Sequence, residues 1–302
     1  MLPSAWDLAT LLSKLLVYTG TAMLAGGWMH SVFFDDGSSE AVRAQLKFVL
    51  TGALLGFHAT LIHFFIQIGV INANGLAGML DWGMARIMLD TPLGDMTMLR
   101  LSGFAIGLIV PAFLLWQLAL GRGLGRGLYL AARPGLALAL IAVVFSFRLS
   151  GHISLLGPAQ QFALLVHVLV FALWIGAIPL FVQRGRAWNA VTLKISLRQF
   201  GNQALVLVIV LTASAGIMLL SLMHSPAELW TTTYGLAILV KVLFVALTLA
   251  LAALNRYRLV PALLMKSGRA NLQRSLRAEI AVAMLVLAVT AFLSTLVGPS
   301  EF

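Results

Sequence analysis

The 302-residue chain contains no cysteine and few charged residues, and both absences restrict what it can be. Without cysteine there are no disulfides, thiolate metal sites or redox-active thiol pairs. A soft metal would therefore have to be bound by methionine thioether and histidine imidazole. Charged residues make up only 10% of the chain, whereas a soluble domain carries about 25%. A water-soluble surface cannot be built from this composition.

Long apolar runs take the place of the missing charge. Hydrophobic residues make up 61% of the chain and the mean hydropathy is +0.99. We predict an all-α fold, a polytopic integral membrane helix bundle of about eight transmembrane helices, because in lipid each backbone N–H must be satisfied within its own segment. The predicted spans cover residues 8–34, 48–71, 97–120, 127–150, 160–183, 199–223, 232–258 and 275–297.

No internal repeat or linker divides these spans, so we expect a single transmembrane domain over residues 1–302. The first apolar stretch, Leu8 to Phe34, is too long for the apolar region of a signal peptide, and we expect it to be a retained helix.

Positive charge is concentrated in alternate segments between the spans. Fifteen of the 20 lysines and arginines lie within Arg43–Lys47, Arg122–Arg133, Arg184–Arg198 and Arg256–Arg277. The opposite segments carry Asp7, Asp81, Asp90, Asp95, Glu228 and Glu301. The positive-inside rule therefore predicts a bacterial inner-membrane protein with both termini outside. Segments this short cannot form a nucleic-acid-reading module, so we expect membrane lipid and no nucleic acid as a partner.

Histidine and methionine gather in the predicted outer half of the bundle. His63 and His167 lie at matching depth on the second and fifth spans, roughly 10–12 Å below the outer surface, and His152 and His224 lie at the outer ends of the fourth and sixth. The methionines on this side are Met84, Met88, Met96, Met98, Met218 and Met223. Imidazole with thioether suits copper, so all ten residues are candidate ligands. Each also has an ordinary interpretation as a hydrogen-bonding or packing residue.

The segment between the second and third predicted spans has two interpretations. If it is helical, Asp81, Met84 and Met88 share one face. That face either belongs to a short interfacial helix that dips Trp82 and the methionines into lipid, or it collects metal ions.

Four cations lie deep within the predicted outer half of the spans: Lys14, Arg100, Arg148 and Lys241. An unpaired cation in a membrane is costly, so each needs an acidic partner, a carbonyl group or an anionic ligand. The acidic residues expected to pair with them are Asp7, Asp90, Asp95 and Glu228. The alternative partner is an anion such as a haem propionate.

Three stretches of residues 140–297 resemble the copper-resistance protein D family (CopD, also called PcoD). The first is Ser150-Gly151-His152, followed by HVLVFALWIGAIPL from His167. The second is Thr233-Tyr234-Gly235, followed by Lys241 and Asn255-Arg256-Tyr257-Arg258. The third is LQRSLRAEI from Leu272, which opens the last span. Residues 1–139 are similar only in general form and make a divergent N-terminal half.

The resemblance implies an inner-membrane copper-homeostasis protein that binds copper and moves it between periplasm and cytoplasm, often with a periplasmic CopC-like copper carrier. The matching polar or signature positions are His152, His167, Trp174, Lys241, Asn255 and Glu279. Among these, His152 and His167 are the suitable copper ligands, whereas Trp174 and the nearby Gly176 are expected to allow close helix packing.

A second hypothesis comes from the residues alone. His63 and His167, at equal depth, suit the axial ligation of a haem b in a membrane electron-transfer protein or oxidoreductase, with the deep cations on its propionates. The sequence contains no arrangement of carboxylates, or of Ser, His and Asp, that points to hydrolysis, so a binding or transport role is favoured over an enzyme.

Overall fold

A computed structural model describes residues 3–35, 37–122, 125–149, 151, 155–223, 225–265 and 267–297. The α-helices in these ranges are α1 (Ala5–Phe33), α2 (Ser39–Asn72), α3 (Trp82–Leu89), α4 (Pro92–Ala119), α5 (Arg126–Phe145), α6 (Pro158–Ala187), α7 (Ala190–Leu222), α8 (Glu228–Thr231), α9 (Thr233–Leu254) and α10 (Gly268–Leu293). Short 3₁₀ helices cover Leu76–Leu80, Ser146–Leu149 and Pro261–Leu264, and a π-helical segment covers Asn255–Leu259.

Eight of these helices, all except α3 and α8, are long and apolar enough to cross a membrane. The all-α membrane bundle and its eight spans are therefore confirmed. We call the end of the bundle with the α1–α2, α4–α5, α6–α7 and α9–α10 connections the basic end, and the opposite end the acidic end. At the basic end α2, α7 and α10 each start seven to nine residues earlier than predicted, at Ser39, Ala190 and Gly268. Lysine and arginine are good helix formers, so the helices continue beyond their apolar stretches.

Polar side chains fix where several helices begin. The residues Ser4, Ser38, Asp81, Asn189 and Thr232 each accept a backbone N–H from the first turn of the helix that follows. At α1 the cap is reciprocal, because Asp7 accepts the Ser4 backbone N–H at 2.9 Å. Such caps satisfy donors that a helix start would otherwise leave free.

A close backbone contact between the two halves of the chain joins α1 to α6. A Cβ atom built on Gly26 would lie 1.9 Å from the carbonyl oxygen of Gly176, and one on Gly176 would lie 1.8 Å from the carbonyl oxygen of Ala22. Only glycine permits this backbone contact, as small residues do elsewhere in membranes. The expected packing role of Gly176 is confirmed, and the neighbouring Trp174 is only 2% exposed.

Two apolar cores flank this crossing. One gathers around Trp174, Ile178 and Phe181 of α6 with residues of α7 and α10. The other joins α1, α2, α4 and α5 around Leu24 and Phe104. By contrast, α9 is largely exposed along its length, as expected for a helix that faces lipid.

Candidate metal site

His167 of α6 contacts Ser214 of α7, with 3.3 Å between the imidazole Nδ1 and the serine Oγ. The serine hydroxyl donates to the Leu211 carbonyl oxygen at 2.9 Å, so its proton is already engaged. Ser214 can then accept the Nδ1–H of His167, and that tautomer leaves the Nε2 lone pair available. A metal-binding histidine is commonly oriented in this way, through a hydrogen bond from its other ring nitrogen.

His63 of α2 has the same arrangement with Ser13 of α1. Its Nδ1 lies 2.8 Å from Ser13 Oγ, and that hydroxyl donates to the Thr10 carbonyl oxygen at 2.8 Å. Nε2 of His63 is therefore also left with its lone pair. Each histidine is nine residues from the acidic end of its helix, or about 13 Å, which agrees with the equal depth predicted from sequence.

The two histidines nevertheless bond to different neighbours, His63 to α1 and His167 to α7. Their electrostatic surroundings also differ. Lys14 and Arg100 both lie close enough to His63 for their charge to act on it, whereas Lys241 is the cation that acts on His167. Two cations thus act on His63 and one on His167, and each would repel a bound copper ion.

The contact line between α6 and α7, which we call the α6–α7 seam, runs from His167 and Ser214 toward the acidic end. Gln160 of α6 donates from Nε2 to Ser221 Oγ of α7 at 3.3 Å. Ser214, Met218 and Ser221 share one face of α7 because they are spaced four and three residues apart. The half-buried Met218 thus lies on the seam, one turn from the partner of His167. Met223 caps the end of α7, while His152 and His224 lie outside the described residues.

The methionines of the N-terminal half have mainly packing surroundings. Met84 and Met88 of α3 pack against the core formed by Phe64, Ile68 and Ala85. The predicted short helix is therefore present, but its methionines face the bundle while Trp82 is 68% exposed.

Met96 and Met98 of α4 have different surroundings. Met96 is 2% exposed and Met98 is 50% exposed. Met98 lines a cleft of about 400 Å³ with Trp82 and Arg86. The methionines that the sequence suggested as ligands in this half of the chain are therefore either packing residues or exposed residues.

The deep cations do not pair with the acidic residues expected from sequence. Between described residues the single ion pair joins Arg133 to Asp35 at 3.2 Å. Asp7 caps α1, and Glu228 accepts the backbone N–H of Ser225 at 2.9 Å. The expectation was wrong, and for Asp7 and Glu228 the reason is that a carboxylate at a helix end binds nearby backbone N–H groups instead.

Hydroxyl groups, carbonyl groups and aromatic rings are the partners of three deep cations. Lys14 donates to the Ser294 carbonyl oxygen at 2.6 Å. Arg100 donates from Nε to Ser146 Oγ at 2.9 Å and lies 4.7 Å from the centre of the Phe147 ring. The guanidinium carbon of Arg148 lies 4.0 Å from the centre of the Phe145 ring. Cation–π contacts of this kind stabilise a desolvated cation.

Two of the family-like positions meet toward the basic end. Asn255, the first residue of the π-helical segment, donates from Nδ2 to Glu279 Oε2 of α10 at 2.7 Å. Both residues are buried, at 6% and 3% exposure. Sequence spacing alone does not reveal this pair, nor the serines that orient His63 and His167, because each pair joins different helices. The one indication of a site residue among these came from the family resemblance, which marked Asn255 and Glu279 as matching positions.

The described residues contain no group of three or more His, Asp or Glu side chains able to hold a metal ion. A metal on the α6–α7 seam would therefore be bound by few ligands, of which imidazole and thioether are the suitable types. Their chemistry favours copper over hard cations such as magnesium or calcium.

Comparison with known proteins shows what the C-terminal part of the chain is similar to. Residues 194–293, which include most of α7 and all of α8, α9 and α10, match the family model of copper resistance protein D. A curated relative, copper transport protein CutJ of Bacillus subtilis (strain 168), is 24% identical over 319 aligned residues, covering 99% of this chain and 54% of the relative. The chain thus spans about half the length of that relative, and no solved structure matches it. The resemblance is confirmed over residues 194–293: this is a multi-pass membrane protein in which those residues are similar to copper resistance protein D, while the first resembling stretch, at residues 150–180, lies outside the match.

Proposed function

We propose that the chain binds copper on the α6–α7 seam and moves it across the membrane. The observation that carries this proposal is the match of residues 194–293 to copper resistance protein D. A relative named for copper transport, aligned along nearly the whole chain, supports it. The family match includes Ser214 and Met218, so the seam lies partly within the matched region.

The proposed ligands are Nε2 of His167 and the thioether of Met218. The hydrogen bond from His167 Nδ1 to Ser214 frees Nε2 for a metal, and Met218 is on the same face of α7 as Ser214. His63 has an equally available nitrogen, but Lys14 and Arg100 both act on it. We therefore rank His167 above His63 as the copper ligand.

Copper would enter the seam from the acidic end. The candidate ligands there are Met223, at the end of α7, together with His152 and His224, which lie outside the described residues. Movement onward requires a soft ligand nearer the basic end. His30 of α1 is a candidate because its Nε2 bonds to the Ala177 carbonyl oxygen at 3.0 Å while its buried Nδ1 has no partner.

We propose that the membrane is the cytoplasmic membrane of a bacterium, with the basic end facing the cytoplasm. The positive-inside rule supports this orientation. Copper would then reach the acidic end from outside, where the cytosolic thiols that compete as copper ligands are absent. A soluble copper carrier of the CopC type is the proposed donor, on the strength of the family resemblance alone.

Copper content of the purified protein tests the proposal. The H167A/M218L double variant should lose about one equivalent of copper relative to the wild type, measured by mass spectrometry after copper loading and desalting. H58A is a matched control, because His58 is exposed and donates to the Leu54 carbonyl oxygen of its own helix. Equal copper content in the wild type and a well-folded double variant would rule out the seam as the site.

An H63A variant and a visible absorption spectrum separate the remaining possibilities. If copper falls in H63A and not in H167A/M218L, the site belongs to α2 instead of the seam. A Soret band in the purified wild type would replace the copper proposal with a haem protein. The comparisons provide no support for haem, so we expect no such band.

A further inference from the structure

Glu279 is a carboxyl group buried within a membrane-spanning helix. It lies 11 residues into α10, or about 16 Å from the basic end of the helix, and is 3% exposed. Its hydrogen-bond partner is the Asn255 amide, at 2.7 Å. Ionisable groups in this position are costly in a membrane and commonly mark ion or proton pathways.

The cations closest along the chain do not neutralise Glu279. Arg274 and Arg277 of α10 are exposed. Arg256, next to Asn255, donates to the Gly201 carbonyl oxygen and to Asn202 Oδ1 of α7. These three groups therefore leave the carboxyl without a counter-charge.

The described charged and titratable groups on the other helices that pack against α10 are bonded elsewhere or lie far from Glu279. On α1, Lys14 bonds to Ser294 and His30 to the Ala177 carbonyl oxygen. On α6, Arg184 donates to the carbonyl oxygens of Phe34 and Ala41. On α9, Lys241 lies about 21 Å along the helix from Asn255, too far to pair with Glu279. Among the described residues, Glu279 thus has an amide partner and no ion pair.

Two buried oxygens beside this pair lack hydrogen-bond partners: Asn255 Oδ1 and Ser275 Oγ. Ser275 is one turn from Glu279 on the same face of α10. An ionised carboxylate can only accept hydrogen bonds, so it offers nothing to Asn255 Oδ1. A protonated carboxyl group has one O–H, and that donor is what the orphaned amide oxygen requires. A buried oxygen without a hydrogen-bond partner is unfavourable, and the O–H of a protonated Glu279 would supply the missing donor.

The backbone at Asn255 is also unusual. Residues Asn255–Leu259 form a π-helical turn in which the Val260 N–H donates to the Asn255 carbonyl oxygen at 2.8 Å. Such wide turns are rare and occur frequently at functional sites. This turn holds the Asn255 side chain against α10, where it meets Glu279.

We propose that Glu279 and Asn255 form a proton-binding site that couples proton movement to copper movement. A proton from water forms an O–H bond at the carboxyl group that Asn255 contacts, and the neutral acid donates to Asn255 Oδ1. Release of that proton to water restores the carboxylate, so each cycle transfers one proton and no electrons. The coupling rests on the proposed copper transport, whereas proton binding at Glu279 stands independently of it.

Infrared difference spectroscopy of the purified full-length protein tests proton binding directly. Between acidic and alkaline buffer, the wild type should show the C=O stretch of a buried carboxylic acid appearing and disappearing. E279Q should lose this band, and N255A should shift it, because the hydrogen bond to the carboxyl is gone. E40Q is the matched control, since Glu40 is an exposed glutamate at the basic end. A band unchanged in E279Q, or a wild type without one, would overturn the proposal.

Copper flux in proteoliposomes tests the coupling. With the membrane potential clamped at zero and one proton moved per copper, one unit of pH gradient should sustain about a tenfold copper gradient. E279Q should keep wild-type copper binding yet lose this accumulation, and E40Q should keep both. Loss of copper binding in H167A/M218L reports on the seam and leaves the infrared result for Glu279 unaffected. Copper accumulation in E279Q equal to that of the wild type would overturn the coupling. If E279Q fails to fold, E279D is the second variant, and because it keeps the carboxyl group it should accumulate copper.

Discussion

Lys14 of α1 donates a hydrogen bond from Nζ to the carbonyl oxygen of Ser294, 280 residues away, at a distance of 2.6 Å. Ser294 is the C-cap of α10, where the helix dipole concentrates negative charge and carbonyl oxygens lack partners. The contact therefore joins the first and last spans at the acidic end. It also explains, without an acidic partner, why a lysine is tolerated within a membrane span.

Replacing Lys14 with alanine should destabilise the protein. The lost hydrogen bond has a charged donor, and bonds of that kind contribute about 1.5–3 kcal/mol. We expect a lower midpoint of thermal unfolding in detergent, measured by the loss of the monodisperse peak in size-exclusion chromatography. K47A is the control, because Lys47 is exposed at the basic end. Equal midpoints for K14A and the wild type would show that the Ser294 contact contributes little.

Replacing Gly176 with alanine should separate α1 from α6. The new Cβ would lie 1.8 Å from the Ala22 carbonyl oxygen, and a backbone atom cannot move aside as a side chain can. The expected cost is about 3 kcal/mol, visible as a large fall in the unfolding midpoint. G216A is the matched control, since a Cβ at Gly216 meets nothing within 4 Å. A normal midpoint in G176A would show that the crossing of α1 and α6 tolerates a methyl group and does not limit stability.

Replacing Ser214 with alanine should weaken copper binding without removing a ligand. His167 would lose the acceptor that holds its Nδ1–H, and the loss of such an orienting partner lowers metal affinity about 10- to 100-fold. Competition with a copper chelator measures the change. T212V is the control on the same helix, because Thr212 is exposed and bonds only to the Val208 carbonyl oxygen. Unchanged affinity in S214A would separate Ser214 from the copper site.

The absence of native cysteine makes the orientation directly testable. Cysteines introduced singly at Glu40 and Asp90, both exposed and at opposite ends of the bundle, should react differently with a membrane-impermeant maleimide. In intact spheroplasts D90C should be labelled and E40C protected, because the positive-inside rule places the basic end in the cytoplasm. Labelling of E40C with protection of D90C would reverse the assigned orientation.

The sequence predicted the membrane class, the eight spans and the relative depth of residues within them. These follow from local quantities, namely the length of each apolar run and the rise of an α-helix. His63 and His167 are indeed equally far from the acidic end of their helices. The close packing at Gly176 was predicted from the resemblance and from the small size of the residue.

Contacts between helices could not be predicted in the same way. Depth says nothing about rotation around a helix axis, so neither Ser13 nor Ser214 could be identified as the partner of a histidine. The acidic partners assigned to Lys14 and Arg100 were wrong for a related reason. A carboxylate at a helix end can satisfy backbone donors in its own turn, and this local alternative competes with long-range pairing.

The contact between α1 and α6 also sets a condition on how the protein is made. Arg184 donates to the carbonyl oxygen of Phe34, 150 residues earlier in the chain, and the buried His30 bonds to Ala177 nearby. At a synthesis rate of about 5–20 residues per second, α1 is complete roughly 8–30 seconds before α6 emerges from the ribosome. During that interval the polar groups at the end of α1 have no partner from α6. The biogenesis machinery must therefore shelter α1 from the lipid, or let it wait at the membrane surface, until its partner helix arrives.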